Sequence, residues 1–333
     1  MTAGLRVVSL GGGNGLSALL ASLRQVGRYL PDGRDMDITA VVTVSDDGGS
    51  SGRLRREFGL LPPGDIRNCM VALSEDGALL SRLFQYRFDT GRGLKGHSFG
   101  NLFLTALTSI TGDFAEAVRK SSEVLNMEGQ IYPATPADVT LEAELENGRV
   151  LRGETRISRS RSAIRRIRML PADARPLSQT LKAIEHADLI TLGPGSLFTS
   201  VIPNLLVRGI PRALRKSKAL KVYFLNLMTQ PGETPGFSAS QHIEALNRHA
   251  GGPFLDVAVA SNSVIPPRLL RLYKAGRSEP IETDRERIRS MGIDLVEADL
   301  FQFQKSPKVR HAAAATAQVV IELARRGRTR RAN

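Results

Sequence analysis

The chain has no tryptophan, one cysteine (Cys69) and only 5% aromatic residues in 333. A single cysteine excludes an internal disulfide framework and a multi-cysteine zinc site, and it suits a reducing compartment. Sparse aromatics leave no base-stacking platform among the basic residues, which speaks against nucleic acid. No apolar run reaches the roughly 18 residues of a membrane span. The first apolar stretch, Leu5 to Leu10, is too short for a signal segment, so a cytoplasmic location is expected. The histidines form no zinc pattern, His242 and His249 lying seven apart, and there is no nucleophile elbow.

Acidic residues are the minority: the net charge is +13. The surplus gathers in two places. One is Arg152, Arg156, Arg159, Arg161, Arg165, Arg166 and Arg168; the other is the end of the chain, where residues 326–333 read as a basic, disordered tail. Such clusters can serve an anionic partner, but a solvated charged face plus the tail is the favoured reading, since the insertion arginines line one exposed face.

The pattern that is present is α/β. Leu5–Leu10 reads as a buried strand, Leu16–Leu23 has helical spacing, and Ile38–Val44 reads as a second strand. Strand, helix, strand implies a parallel pair with a right-handed crossover. Asp65 to Phe88 and Asn101 to Leu125 read as helical, the latter interrupted near Gly112. Residues 135–170 alternate with period two about Asn147-Gly148, which predicts an inserted antiparallel hairpin with strands at 139–145 and 150–157. Strands follow at 188–192, 222–225 and 256–260, and an Ala-rich helix at 312–325. The expectation is one unit over residues 1–333: a Rossmann-like, mostly parallel sheet flanked by helices, with a hairpin layer inserted.

The polar loops follow the strands. In open parallel sheets ligands bind beyond the carboxyl ends of the strands, so these loops should converge on one crevice. Gly11-Gly12-Gly13-Asn14-Gly15 joins the first strand to the first helix. Its glycines allow a phosphate close to the backbone, and the helix end offers free N–H groups. It is not the dinucleotide fingerprint, because Leu16 stands where the third glycine belongs, and it has no Walker lysine. Gly193-Pro194-Gly195-Ser196 is a second strand-to-helix turn; two helix ends on one rim would suit a diphosphate.

Asp46-Asp47-Gly48-Gly49-Ser50-Ser51 ends the second strand. Its acids would grip ribose hydroxyls or hold Mg²⁺ against phosphate oxygens. Asp65, Arg67 and Asn68 open a helix after Pro62-Pro63-Gly64, with Asp65 either an N-cap or a ligand contact. Gly96-His97-Ser98-Phe99-Gly100-Asn101 follows no strand, so it is no Walker site. It reads as a lid bringing Lys95, His97 and Asn101 to the pocket, with a purely structural His97 as the alternative. Cys69 reads as a small core residue.

In order along the chain, GGGNGLS, VTVSDDGGSSGRLR, PPGDIRNC, GLKGHSFGNLFL, LGPGSLFTSVIPNLL and MTQPGET occur between residue 7 and about 245. Together they resemble the gluconeogenesis-factor family (YvcK-like), related to the CofD-like phospholactate transferases. The resemblance implies a Rossmann-like cytoplasmic protein that binds UDP-sugars such as UDP-N-acetylglucosamine and supports cell shape on gluconeogenic carbon sources. No catalytic residue is implied, and a regulator is favoured over an enzyme. A cell-wall synthesis protein is the implied partner class, and a homodimer stays open. Phosphate or nucleotide roles carry over to Gly12, Gly13, Asn14, Gly15, Asp46, Asp47, Gly195 and Ser196, with nucleotide-sugar roles for Tyr273 and Arg310. With Gly48, Gly49, Ser50, Asp65, Asn68, His97, Asn101, Gly193 and Asn226 they make up the candidate site. The alternative is a Mg²⁺-dependent transferase of a phosphorylated group, with Asp46 and Asp47 on the ion.

Overall fold

The computed structural model describes residues 4–27, 35–74, 79–302 and 309–332. The first half of the sheet is built by β1 (Leu5–Gly11), α1 (Gly13–Gly27) and β2 (Met36–Val42). After β2 come α2 (Gly49–Phe58), α3 (Gly64–Leu73), α4 (Leu79–Gln85), α5 (Phe99–Thr111), α6 (Phe114–Val124) and β3 (Gln130–Pro133). The insertion holds β4 (Thr140–Leu145), β5 (Val150–Arg152), α7 (Glu154–Ser158) and β6 (Ile164–Leu170). The second half has α8 (Ser178–His186), β7 (Leu189–Leu192), a π-helical turn (Leu197–Val201), α9 (Ile202–Leu206), α10 (Ile210–Lys216) and β8 (Leu220–Phe224). It ends with α11 (Ala239–Ala250), β9 (Val257–Ser261), α12 (Pro267–Ala275), α13 (Arg285–Ser290), β10 (Asp294–Ala298) and α14 (Ala313–Ala332).

Seven strands form one sheet in the order β10-β9-β8-β7-β1-β2-β3, parallel throughout. Its central strands are apolar because both faces are covered: Val7, Val8 and Leu10 of β1 and Leu189, Ile190 and Leu192 of β7 are buried. The chain runs outward from β1 to β3 on one side and from β7 to β10 on the other. The topological switch point therefore falls between β1 and β7, which is where open α/β sheets place their ligands. The Rossmann-like reading holds.

Three local readings need correction. The second arm of the insertion stops at Arg152; the chain turns at Gly153 (φ 92°) and continues as α7. A third strand, β6, pairs with β4 instead, so the layer is a three-stranded antiparallel sheet in the order β5-β4-β6. The stretch from Asp65 to Phe88 is two helices, α3 and α4, with residues 75–78 lying outside the described residues.

The third correction concerns the tail. Residues 326–332 continue α14, while Asn333 lies outside the described residues. The helix end reaches the amino ends of the strands, where aspartates meet its arginines. Arg328 pairs with Asp188 at 2.8 Å, Arg330 with Asp256 at 2.8 Å, and Arg326 with Asp294. Asp188 is 1% exposed and also takes Arg6 at 3.0 Å. On the insertion Arg152 pairs with Glu142 at 2.7 Å and Arg165 with Glu144 at 3.0 Å, across the antiparallel ladder. Several arginines of both clusters are thus paired within the fold.

Candidate functional site

The two glycine turns leave β1 and β7, the strands flanking the switch point, and they are seated on each other. A Cβ at Gly15 would stand 2.3 Å from the Pro194 carbonyl oxygen, so only glycine admits this approach. Gly12 faces Thr43, Asp65 and Ser200 as tightly, its own Cβ position lying 2.5 Å from the Thr43 methyl. Asn204 of α9 ties the turns from below, donating to the Gly11 carbonyl at 3.3 Å.

Both helix ends are already met by carboxyl groups of the chain, which sequence patterning did not foresee. The Gly13 N–H donates to Asp65 Oδ2 at 2.7 Å. Asp65 is therefore no N-cap: Pro63 holds that position on α3, and the Asp65 side chain crosses to the first turn. At the second turn the chain starts with one π-helical turn before α9. Glu233 accepts from the Phe198 N–H at 3.2 Å and the Thr199 hydroxyl at 3.1 Å. Around the second turn the polar side chains are bonded to one another, Gln230 Nε2 donating to Ser196 Oγ at 2.7 Å and Asn226 Nδ2 to Gln230 Oε1 at 3.4 Å.

These groups line a cavity of about 260 Å³ together with Asn14, Gly15, Gly195 and Arg310. A larger chamber of about 540 Å³ adjoins it, sharing Asn226, Gln230, Val309 and His311 and adding Met228 and Tyr273. A short strap divides them. The Val309 N–H donates to the Tyr273 hydroxyl at 2.7 Å, and His311 Nε2–H to the Leu225 carbonyl at 2.9 Å. Burial holds His311 neutral, its pKa lowered to about 4 against that hydrogen bond.

Buried carboxyls gather beneath the paired turns. Burial raises Asp65 to about 6, opposed by the Gly13 hydrogen bond and reinforced by Asp46. Burial likewise lifts Glu233 to about 6. Glu154 of α7 is pushed well above the usual carboxylate range, first by burial and then by Asp46, Asp65, Asp47 and Glu233. Glu154 is the residue that sequence reasoning missed most completely, because the insertion reads as a charged surface layer.

The Asp46–Ser51 run divides between tasks. Asp46 Oδ1 accepts the Gly48 N–H at 2.8 Å, opening α2 at Gly49. Asp47 Oδ1 takes the Thr155 N–H at 2.8 Å and its hydroxyl at 2.6 Å, clamping α7 to the β2 loop. Ser50 Oγ receives Asn101 Nδ2 at 3.1 Å and bonds His97 Nδ1 at 2.9 Å. His97 and Asn101 are buried on α2 and line neither chamber, so the loop before α5 is fastened down and does not reach over the pocket as a lid. Cys69 is buried and its thiol raised by burial, as a core residue should be. Among the described residues no group of three or more His, Cys, Asp and Glu side chains is arranged to hold a metal ion. No helix among them is long and apolar enough to cross a membrane.

A doubly wound parallel sheet with paired glycine turns and adjoining cavities at its switch point defines a Rossmann-like α/β protein. Residues 7–301 match the family described as 2-phospho-L-lactate transferase CofD, and the chain belongs to that family. Proteins named gluconeogenesis factor are similar over nearly the whole length. One from Halalkalibacterium halodurans is 44% identical over 316 residues, 95% of each chain. One from Bacillus subtilis is 44% identical over 318 residues, 96% of this chain and 98% of that one. The crystal structure of a Bacillus halodurans protein superposes with a TM-score of 0.90 at 43% identity, covering 96% of this chain and 99% of that one.

Proposed function

We propose that the chain is a cytoplasmic regulator that binds a nucleotide sugar of the UDP-N-acetylglucosamine type. In this reading the bound state is read by a cell-wall synthesis protein and governs cell shape during growth on gluconeogenic carbon sources. The diphosphate sits beside Asn14, Gly15, Gly195 and Ser196; Asn226, Arg310 and Tyr273 face the sugar and nucleoside ends. The observation that carries the ligand assignment is the contact of Gly15 with Pro194 at the switch point. It brings two phosphate-type turns to one rim, beside chambers of about 260 and 540 Å³ that suit a diphosphate and its two substituents. The relatives named gluconeogenesis factor support the link to gluconeogenic growth.

A Mg²⁺-dependent transferase is the second reading, favoured by the match to a phospholactate transferase family. Asp47 accepts both the N–H and the hydroxyl of Thr155, whereas Asp46 and Asp65 each accept a single backbone N–H and repel each other, so those two are the carboxylates favoured for an ion. Two acids that repel each other in a poorly solvated place are suited to a small divalent cation that keeps its remaining positions for water and phosphate.

A thermal-shift panel separates the readings: UDP-N-acetylglucosamine, other UDP-sugars, NAD, GTP and phosphate, each with and without Mg²⁺. A ligand at 100 times its Kd stabilises by about 2.7 kcal/mol. Stabilisation by UDP-sugars without Mg²⁺ supports the regulator. Stabilisation only by a phospho-donor with Mg²⁺, lost in Asp65→Asn, sinks it in favour of the transferase.

A further inference from the structure

Beyond Asn14, on the side away from Gly195, lies a third cavity of about 450 Å³ that the diphosphate reading does not use. It is lined by three arginines, Arg67, Arg87 and Arg310, together with Asn14, Asn68 and Gln85. Arg310 and Asn14 also line the diphosphate chamber, so the two spaces adjoin.

Arg67 is the informative member. It is only 9% exposed, it donates to Asn68 Oδ1, and its Nε finds no acceptor among the described residues. Burial and the nearby Arg87 both lower its pKa. The acid that counters them is Asp65, whose own carboxyl is raised to about 6 and is already bonded to Gly13. Among the described residues the Arg87 side chain has one hydrogen bond, to the Gly96 carbonyl, and neither Arg87 nor Arg310 forms an ion pair. Arg67 Nε is enclosed by the protein, so what Arg67 offers the cavity is the rest of its guanidinium; a largely buried guanidinium beside another cation is costly unless an anion completes it. Planar forks of N–H donors match the oxygens of a carboxylate or phosphate.

We infer that the Arg67–Arg87–Arg310 cavity is a second oxyanion subsite, which takes an acidic group in addition to the diphosphate. The ligand class becomes an acidic nucleotide sugar, with its carboxylate or phosphate on the sugar side of Arg310. This rests on the nucleotide-sugar reading above. The same oxyanion chemistry also fits a separate small anion bound beside a neutral sugar nucleotide.

Titration calorimetry on the full chain decides it with matched pairs. UDP-glucose is compared with UDP-glucuronate, and UDP-N-acetylglucosamine with UDP-N-acetylmuramate, so that each pair carries the acid at a different place. At least one acidic partner is expected to bind about 10-fold tighter than its neutral counterpart, the scale of a charged hydrogen bond. In Arg87→Gln that ratio falls to about one, and in Arg87→Lys part of it returns. If instead inorganic phosphate tightens the neutral sugars 10-fold in an Arg87-dependent way, the subsite holds and its anion is a separate molecule. Equal affinities within both pairs and no effect of phosphate overturn the subsite while leaving the nucleotide-sugar reading intact. So does a preference that survives in Arg87→Gln. If no UDP-sugar binds, that reading falls; phosphate binding that disappears in Arg87→Gln then upholds the subsite by itself, and its absence overturns it.

Discussion

The Pro194 carbonyl occupies the space where a side chain at Gly15 would begin, 2.3 Å from the ideal Cβ position. The β1 and β7 turns thus form one cradle. Gly15→Ala is expected to cost about 1–3 kcal/mol, the range for overpacking, and to part the turns. Thermal denaturation should show the loss, and UDP-sugar binding should vanish while circular dichroism stays native. A variant with unchanged stability and binding would mean that the two turns are independent.

The carboxyl of Asp65 should leave a mark on the pH dependence of stability. In the folded chain it titrates near 6, whereas an unfolded Asp titrates near 3.9. The folded state holds the extra proton between those values. Its contribution is therefore complete below about pH 4 and is lost as pH rises through 6. The shift is worth about 3 kcal/mol on the scale of 1.36 per pKa unit. Glu233 acts with the same sign; His311, lowered to about 4, acts with the opposite one. The difference between Asp65→Asn and the parent isolates the Asp65 share. The melting temperature of the variant should gain on the parent between pH 4 and pH 7, and parallel curves would contradict the assignment.

At the other end of the sheet, Asp188 is enclosed by Arg6 and Arg328 and accepts the Arg6 backbone N–H as well. Removing one partner of a buried ion pair typically costs about 3–5 kcal/mol, because the other charge is left uncompensated. Asp188→Ala should reach that range. Arg328→Gln should cost less, since Arg6 remains. Truncation after Ala324 should lower the melting temperature measurably. A chain shortened there with unchanged stability would return the tail to a dispensable role.

The fold and the glycine turns at its switch point are legible in this sequence, because strand-to-glycine junctions and apolar runs are local signals. Gly15 and Gly195 are recognisable as turn residues, but their meeting depends on β1 pairing with β7, residues far apart in the chain. Asp65 stands out within PPGDIRNC, yet nothing local says that its carboxylate crosses to Gly13. His97 and Asn101 look like ligand contacts since glycines surround them; in the fold their partner is Ser50. Glu154 is hidden for a different reason. It sits among arginines that alternate as on an exposed face, and only the turn at Gly153 drives it inward. The arginine tail fails as disorder because each aspartate that pairs with it lies at the start of a different strand.

The central claim is that the paired turns hold a nucleotide sugar. Titration calorimetry of UDP-N-acetylglucosamine into the parent chain and Gly15→Ala, without Mg²⁺, tests it most directly. Saturable binding near one ligand per chain in the parent, lost in Gly15→Ala, is the predicted result. No binding by the parent, or equal binding by both, would contradict the account.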